Sequence, residues 1–203
     1  MQKIIFFDID GTLFDVSSFL NLLHQKLIDQ LGMTSQDISK LKIIYDEVKR
    51  ENGYFFPTSF LTKIVSNFQL VDKTRLEKIF WGIDLFEKSL YKDTLAVGDL
   101  AKLAKIGIFS KGEVEFQKKK LSFLNISIDD QDIYIFPNKV DKIREIFGKY
   151  ENYEVYLVDD NLEVLREVKN LTSVNLVLID RNNHYNGTDI KTITDLNELK
   201  RIL

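Results

Sequence analysis

The chain has 203 residues, of which 44% are hydrophobic and 29% charged, a composition typical of a soluble globular protein with one core, or with a core and a small accessory domain. A net charge of −3 argues against non-specific nucleic-acid binding, and the short apolar runs predict no membrane-spanning segment and no membrane partner. The chain has no cysteine, which excludes disulfides, a cysteine nucleophile and thiolate-bound metals. It has only two histidines, which argues against a histidine-bound metal. The lack of cysteine suits a reducing cytoplasm, where we expect the protein to act.

Five short apolar runs predict the strands of a sheet. Their near-continuous hydrophobicity, without alternation, is typical of parallel strands that are buried on both faces. Between the runs, apolar residues at helical spacing, such as Leu162, Leu165 and Val168, predict helices. The alternation of strand and helix patterns indicates a doubly wound α/β domain. The five predicted strands are 3–7, 106–109, 132–136, 153–158 and 174–179.

A helical stretch separates the first predicted strand from the rest of the sheet. Residues 16–90 contain no convincing strand, so we predict two domains: a helical cap at 16–90, and an α/β core formed by 1–15 together with 91–203. A last helix is predicted at 194–203, with Asp195 as its N-cap. The four helices predicted within the cap are 17–31, 35–51, 58–68 and 73–90.

Two carboxylates follow the first predicted strand. Asp8 and Asp10 come directly after the apolar run 4–7, and Gly11 then allows a sharp turn of the backbone. This edge of an open α/β sheet is where ligands bind. Two like charges this close need a cation or hydrogen bonds, and oxygen ligands favour a hard ion such as Mg²⁺. The alternative is a solvated Asp-Gly turn, and the apolar strand before it favours the ligand site.

Two further strands also end in groups that can bind a ligand. At the end of 106–109, the Ser110 hydroxyl and the backbone N–H groups of Lys111 and Gly112 can donate to a phosphate. The strand at 153–158 ends in the adjacent carboxylates Asp159 and Asp160. The alternative for these carboxylates is helix capping by Asp160 or Asn161, which is compatible with metal binding.

These motifs resemble those of the haloacid dehalogenase (HAD) superfamily. The resemblance covers the full chain, because the motifs occur in the family's order and the helical insertion matches the position of the family's cap. It implies a Rossmann-like core, a helical cap and Mg²⁺-dependent phosphatase chemistry. In one respect the chain departs from the family: Lys111 stands where Asn is common, which leaves the role of its side chain open. The matching strings are Asp8-Ile9-Asp10-Gly11-Thr12, Ile106–Ser110 and Asp159-Asp160.

The resemblance also implies a role for each acidic residue. Asp8 attacks the phosphorus and forms an aspartyl-phosphate, while Asp10 acts as general acid for the leaving group and then as base for water. Mg²⁺ is bound by the Asp8 side chain, the Asp10 backbone carbonyl and the fourth motif. Within that motif we favour Asp160 for direct coordination and Asp159 for a supporting or water-mediated contact. The phosphate is expected to contact Gly11, Thr12, Ser110, Lys111 and Gly112.

A lysine that screens Asp8 and the phosphoryl group is the remaining implied element. Lys139 is the best candidate, because the turn at 136–139 exposes its amine near the sheet edge. Lys142, nearly one turn further along the same helix, and Lys120, on the preceding helix, are rivals.

Hydrolysis of a small phosphorylated metabolite is therefore the favoured function. The presence of Asp10 favours a phosphatase or phosphomutase over a dehalogenase, because protonation of the leaving group needs that acid. A phosphomutase has the same motifs and stays an alternative. A third alternative is a non-catalytic scaffold protein with the same fold. Loss of a motif residue would favour that alternative, and this sequence retains the motif residues. An oxidoreductase lacks support, since no Gly-x-Gly-x-x-Gly follows any strand. The sequence specifies neither the substrate nor the oligomeric state.

Overall fold

A computed structural model of the chain describes residues 1–68, 71–185 and 187–203. Within these ranges six parallel strands form one sheet in the order β3-β2-β1-β4-β5-β6. Helices cover both faces, which confirms the predicted doubly wound α/β architecture. The strands are β1 (Gln2–Phe7), β2 (Lys105–Lys111), β3 (Ile133–Phe136), β4 (Tyr153–Asp159), β5 (Asn175–Ile179) and β6 (Lys191–Ile193).

The strand register places the candidate residues at one edge. Phe7, the last residue of β1, pairs with Ile108 of β2 and Val158 of β4. The chain builds outward from β1 through β2 to β3, and then returns to β4 on the other side of β1. The strand order therefore reverses between β1 and β4, which is where open α/β sheets bind ligands.

Two details of the sheet differ from the prediction. β6 was not predicted, because it has only three residues, of which Ile193 alone is buried. The strand predicted at 132–136 is found as β3, but its four residues are half-buried and not buried as predicted, because β3 lies at the edge of the sheet.

Nine α-helices and several short 3₁₀ segments complete the described chain. Among the described residues 16–68 and 71–90, five helices and no strand are found. The 3₁₀ segments are Lys92–Leu95, Asp130–Asp132, Val140–Lys142, Gly148–Tyr150 and Leu196–Arg201. The α-helices are α1 (Val16–Leu31), α2 (Ser35–Asn52), α3 (Pro57–Asn67), α4 (Lys73–Phe80), α5 (Ile83–Glu87), α6 (Ala96–Leu100), α7 (Val114–Leu121), α8 (Ile143–Phe147) and α9 (Leu162–Leu171).

Two predicted helices are corrected. The single helix predicted at 73–90 is wrong, because α4 ends at Phe80 and Gly82 takes an extended conformation before α5 begins. The helix predicted at 194–203 is a 3₁₀ segment, although Asp195 does cap it, with the Glu198 side chain bonding back to the cap. Short 3₁₀ turns are common where the chain has room for little more than one helical turn.

Aromatic side chains join the helices of residues 16–90 to the sheet layer. The Phe116 ring of α7 lies 5.8 Å, centroid to centroid, from the rings of Phe19, Phe80 and Phe86. All four residues belong to one hydrophobic cluster that also contains Phe7 of β1. Burial of rings of this size is a large stabilising term. The boundaries of the cap, 16–90, stay a prediction. Within the described ranges, no helix combines the length and the apolar character needed to cross a membrane.

Candidate active site

Asp8 lies directly beyond β1, beside a buried lysine. Its backbone N–H donates to the Val158 carbonyl at 2.9 Å, so the residue continues the β1–β4 ladder. The Lys139 ammonium lies 2.5 Å from Asp8 Oδ1 and 2.5 Å from Asp159 Oδ2. All three side chains are almost completely buried. The structure thus brings Lys139 to Asp8, whereas the rival Lys142 is exposed and pairs with Glu145.

Three carboxylates form the most acidic part of this edge. Oxygen atoms of Asp8, Asp159 and Asp160 all lie within 4.8 Å of one another. Burial raises the pKa of Asp8 to about 7 in spite of Lys139, and burial together with the charge of Asp8 raises the pKa of Asp160 to about 8. Burial opposes the charged form of Lys139, but Asp159 and Asp8 outweigh it and raise the pKa of Lys139. One ammonium for three carboxylates leaves an excess of negative charge.

The donor set fits Mg²⁺, which prefers carboxylate and other hard oxygen ligands. Asp159 has both oxygens engaged, since Oδ1 accepts from Asn161 N at 2.9 Å and Oδ2 contacts Lys139. Among the described residues, no donor hydrogen bonds to the Asp160 carboxylate. Asn161, and not Asp160, caps α9. These contacts agree with direct coordination by Asp160 and a supporting role for Asp159, which stay predictions.

Two buried hydroxyls lie among the predicted phosphate-binding residues. Ser110 is the next-to-last residue of β2 and Thr12 lies in the loop after β1, and both residues are completely buried. Neither hydroxyl has a hydrogen-bond partner within the described ranges. A buried hydroxyl without a partner costs about 1–3 kcal/mol, so an acceptor oxygen of a ligand would stabilise either group. Phosphate is such a ligand. Lys111 and Gly112 line the adjoining cavity, as does Gly11.

No family model matches the sequence, and no curated protein matches it. Solved structures match over nearly the whole chain. A haloacid dehalogenase-like hydrolase from Burkholderia xenovorans superposes with a TM-score of 0.72 at 23% identity, covering 98% of both chains. The chain has the haloacid dehalogenase fold.

Two further HAD structures are similar at lower identity. The HAD hydrolase YfnB from Bacillus subtilis, solved with bound magnesium, has a TM-score of 0.62 at 17% identity and covers 99% of this chain and 98% of its own. The defluorinating L-2-haloacid dehalogenase Rha0230 has a TM-score of 0.74 at 13% identity and covers 100% of this chain and 95% of its own. Identities this low establish the fold, and the HAD fold is what the sequence motifs predicted.

Gly11 lies in the turn that follows Asp8 and Asp10. Its φ of +81° lies in the left-handed region that favours glycine, and an added Cβ would lie 2.0 Å from Asp160 Oδ2. Any side chain at this position therefore displaces Asp160, as well as straining the backbone.

Gly11→Ala is expected to weaken Mg²⁺ binding roughly 10-fold or more, because Asp160 must move. Gly32→Ala is the matched control, since Gly32 also has a positive φ (+67°) but no atom of the described residues lies within 4 Å of its Cβ position. Both variants should lose similar stability, and only Gly11→Ala should need more Mg²⁺ to reach a given increase in Tm. Equal Mg²⁺ requirements in the two variants would contradict this placement of Asp160.

The Asp10 carboxylate lies apart from the three clustered carboxylates. It accepts from Lys120 Nζ at 2.5 Å and from Gln117 Nε2 at 3.0 Å, both on α7. Burial lowers the pKa of Lys120, against the opposing charge of Asp10. Lys120 was predicted only as a rival screening lysine, and Gln117 was missed. The two residues are three positions apart, on one face of the helix that follows Ser110. This spacing was the sequence feature that could have indicated that both side chains reach the same site. The metal contact predicted for the Asp10 backbone carbonyl stays a prediction.

Arg181, which the sequence reasoning missed, fixes the loop after β1. Its guanidinium donates to the carbonyls of Gly11 at 3.3 Å and Thr12 at 2.6 Å, and pairs with Asp93 at 2.9 and 3.1 Å. The ring of Tyr91 stacks on it, 3.7 Å from the guanidinium carbon. Arg181 follows β5, so its place at the carboxyl end of a strand was the available signal. The contacts hold the turn that carries Gly11 and Thr12.

A cavity of about 570 Å³ opens over the site. Its lining includes Asp8, Asp10 and Lys139, and also Tyr45 of α2 and Phe55 of the loop between α2 and α3. The aromatic residues at 54–56 and 60 can line a pocket or pack within the cap, and the sequence alone favours packing. Phe60 is completely buried in the core. Phe55 packs against that core, and both Phe55 and Tyr54 line the cavity. The exposed Lys49 also lies at this wall.

The raised pKa values predict that the metal-free protein loses stability as pH rises. Between the ordinary aspartate pKa of 3.8 and the folded values of about 7 for Asp8 and about 8 for Asp160, the folded chain retains protons that the unfolded chain has lost. We expect Tm to fall by roughly 5 °C or more from pH 5 to pH 8.5. Saturating Mg²⁺ should remove most of this fall, and Asp160→Asn should reduce it. An unchanged pH slope in Asp160→Asn would contradict the assignment.

Proposed function

We propose that the protein is a Mg²⁺-dependent phosphatase that hydrolyses a small phosphate monoester through an aspartyl-phosphate on Asp8. The observation that carries the proposal is the environment of this one carboxylate. Asp8 lies 2.5 Å from Lys139, within a cluster of carboxylates. At the same sheet edge is Ser110, whose hydroxyl has no hydrogen-bond partner among the described residues. A carboxylate that can serve as nucleophile and an ammonium that can screen charge thus both line the cavity, which supports the proposal.

In the first half of the proposed reaction, an oxygen of Asp8 attacks the phosphorus, and the bond between phosphorus and the leaving oxygen breaks. Asp10 gives its proton to that oxygen, so that an alcohol leaves. Two displacements at phosphorus replace one difficult displacement by water. Ser110 donates to a phosphoryl oxygen, and Lys139 balances the negative charge that gathers around Asp8.

In the second half, water attacks the phosphorus of the aspartyl-phosphate. Asp10, now ionised, takes the proton from water, and the bond between phosphorus and the Asp8 oxygen breaks. Inorganic phosphate leaves and the Asp8 carboxylate is regenerated. Mg²⁺ would be held by Asp8, Asp160 and, directly or through water, Asp159, and it supplies charge neutralisation for the phosphoryl group.

The helices of residues 16–90 are proposed to be the cap that selects the substrate. Tyr45, Tyr54 and Phe55 line the cavity that contains Asp8. The organic part of the ester, once bound at Asp8, must therefore lie against these side chains. A cavity of about 570 Å³ accommodates a small metabolite. Phosphorylated small molecules are the proposed substrate class.

A haloacid dehalogenase is the second candidate, because a dehalogenase shares the fold with a TM-score of 0.74. Two features of this chain favour phosphate chemistry. A halide leaves without a proton and needs no counterpart of Asp10, which lines the cavity here. The cluster of Asp8, Asp159 and Asp160 concentrates negative charge that suits a divalent cation, whereas attack on an uncharged carbon needs no such ion.

The test is hydrolysis of an aryl phosphate with Mg²⁺ and with EDTA, followed by a panel of phosphorylated metabolites, with L-2-chloropropionate assayed in parallel. We expect Mg²⁺-dependent release of phosphate that EDTA abolishes, and no release of chloride. Chloride release without phosphatase activity would move the assignment to the dehalogenase. A phosphomutase would transfer the phosphoryl group to a sugar phosphate added as acceptor, in preference to water.

A further inference from the structure

Two side chains of α7 donate hydrogen bonds to the Asp10 carboxylate. Lys120 Nζ lies 2.5 Å from Oδ1 and Gln117 Nε2 lies 3.0 Å from Oδ2, so each oxygen of the carboxylate has its own donor. The Asp10 side chain is 38% exposed and lines the cavity, whereas that of Lys120 is only 2% exposed. A carboxylate with a separate donor on each oxygen cannot rotate freely about its Cβ–Cγ bond. Each oxygen keeps a further lone pair for another partner.

Lys120 is unusual because its ammonium is buried among aromatic rings. Its Nζ lies 4.2 Å from the ring centre of Phe116 and 4.9 Å from that of Phe14. Within the described ranges, Asp10 is the one carboxylate that pairs with it. Burying an ammonium is unfavourable without such a partner, and an apolar side chain of similar size would fill the same space without that cost. Packing alone therefore does not account for a lysine at this position.

Gln117 connects Asp10 to the carboxyl end of β2. Its Nε2 also donates to the Lys111 carbonyl at 2.9 Å, and the residue is 1% exposed. The amide fits here because residue 112 is glycine, where a Cβ would lie 2.6 Å from Gln117 Nε2. One amide group thus fixes the Asp10 carboxylate relative to the loop that carries the predicted phosphate donors.

We propose that Lys120 and Gln117 are positioning residues that orient the Asp10 carboxylate toward the leaving-group oxygen in the cavity. This inference rests on the proposed phosphatase function, in which Asp10 transfers a proton to that oxygen. Positioning a proton donor matters most when the departing oxygen is basic, and least when it leaves readily as an anion. The contribution of the pair therefore depends on the leaving group.

The test compares kcat/KM of wild type and Lys120→Met for an alkyl phosphate and for dinitrophenyl phosphate. This ratio reports the steps up to formation of the aspartyl-phosphate, so a slower second half-reaction does not mask the effect. We expect a loss on the order of 10²-fold for the alkyl ester and less than about threefold for the activated ester, because general acid catalysis contributes about 10²–10⁴-fold. Gln117→Leu should show the same pattern with a smaller loss.

Lys118→Met is the matched control, since Lys118 lies on the same helix with its side chain exposed. It should leave both ratios unchanged. An equal loss for both esters in Lys120→Met, or no loss for either, would overturn the proposal. If Asp8→Asn hydrolyses both esters at the wild-type rate, the phosphatase mechanism itself fails, which is a separate result.

A crystal structure of Lys120→Met gives a readout that does not depend on turnover. Methionine fits the aromatic surroundings of Lys120 and removes the charge, so the variant is expected to fold. The Asp10 carboxylate should then adopt a different orientation, or two orientations, while Asp8 and Lys139 stay in contact. An Asp10 carboxylate in the wild-type orientation would overturn the positioning role.

Discussion

Asp8→Asn is expected to lower phosphatase activity by roughly 10⁴-fold or more, because an amide cannot displace the leaving group from phosphorus. The substitution preserves the shape of the side chain. It also removes a carboxylate whose pKa is raised to about 7 by burial, so the metal-free variant should be at least as stable as wild type near pH 8. Steady-state kinetics and thermal unfolding on the same sample separate loss of the nucleophile from loss of the fold.

Asp29→Asn is the control for Asp8→Asn. Asp29 is exposed near the end of α1, where it accepts from the side chain of Gln25. Its substitution should change neither kcat nor Tm by a measurable amount. Wild-type activity in Asp8→Asn would show that a different residue attacks the phosphorus.

Lys139→Met is expected to reduce both activity and stability. The variant loses the cation that balances charge around Asp8, which should lower kcat by about 10²–10³-fold. It also leaves Asp8 and Asp159 buried without their ammonium partner, which costs about 3–5 kcal/mol and lowers Tm by roughly 10 °C. Lower pH should restore part of the stability, because protonation removes the uncompensated charges. Thermal unfolding at two pH values checks this result.

Lys142→Met is the control for Lys139→Met, because it removes a nearby lysine that does not contact Asp8. The Lys142 side chain is 47% exposed and pairs with Glu145 at 2.9 Å, three residues further along the chain. Exposed pairs of this kind contribute about 0–1 kcal/mol, so Tm and kcat should stay close to wild type. Equal losses in the two variants would contradict the assignment of Lys139 as the lysine that contacts the nucleophile.

The sheet and the location of the site were predictable from short-range patterns. Each motif follows an apolar run, and parallel strands place their carboxyl ends at one edge, so Asp8, Ser110 and Asp159 could be brought together without coordinates. The choice of Lys139 over its rivals needed the structure to show which amine reaches Asp8. Helix boundaries followed local signals where a cap was present, as at Thr34, whose side chain forms a capping box with Asp37.

The remaining features depend on contacts between distant parts of the chain. Gln117 and Lys120 reach Asp10 across 107 and 110 residues, and Arg181 reaches Gly11 across 170. No local pattern encodes such a pairing. The break between α4 and α5 at Gly82 was missed because apolar residues continue on both sides of it. Phe80 and Phe86 are both completely buried, and each ring packs against those of Phe19 and Phe116.

The aspartyl-phosphate on Asp8 can be detected most directly by trapping it. Asp10→Asn should still accept the phosphoryl group from an aryl phosphate, whose leaving group needs little protonation, but should fail to activate water for the second half-reaction. Acid quenching followed by peptide mass spectrometry should then find one phosphoryl group on Asp8, and none in the Asp8→Asn, Asp10→Asn double variant. A variant that turns over the ester with no phosphorylated peptide, or with the phosphoryl group on another residue, would contradict the mechanism.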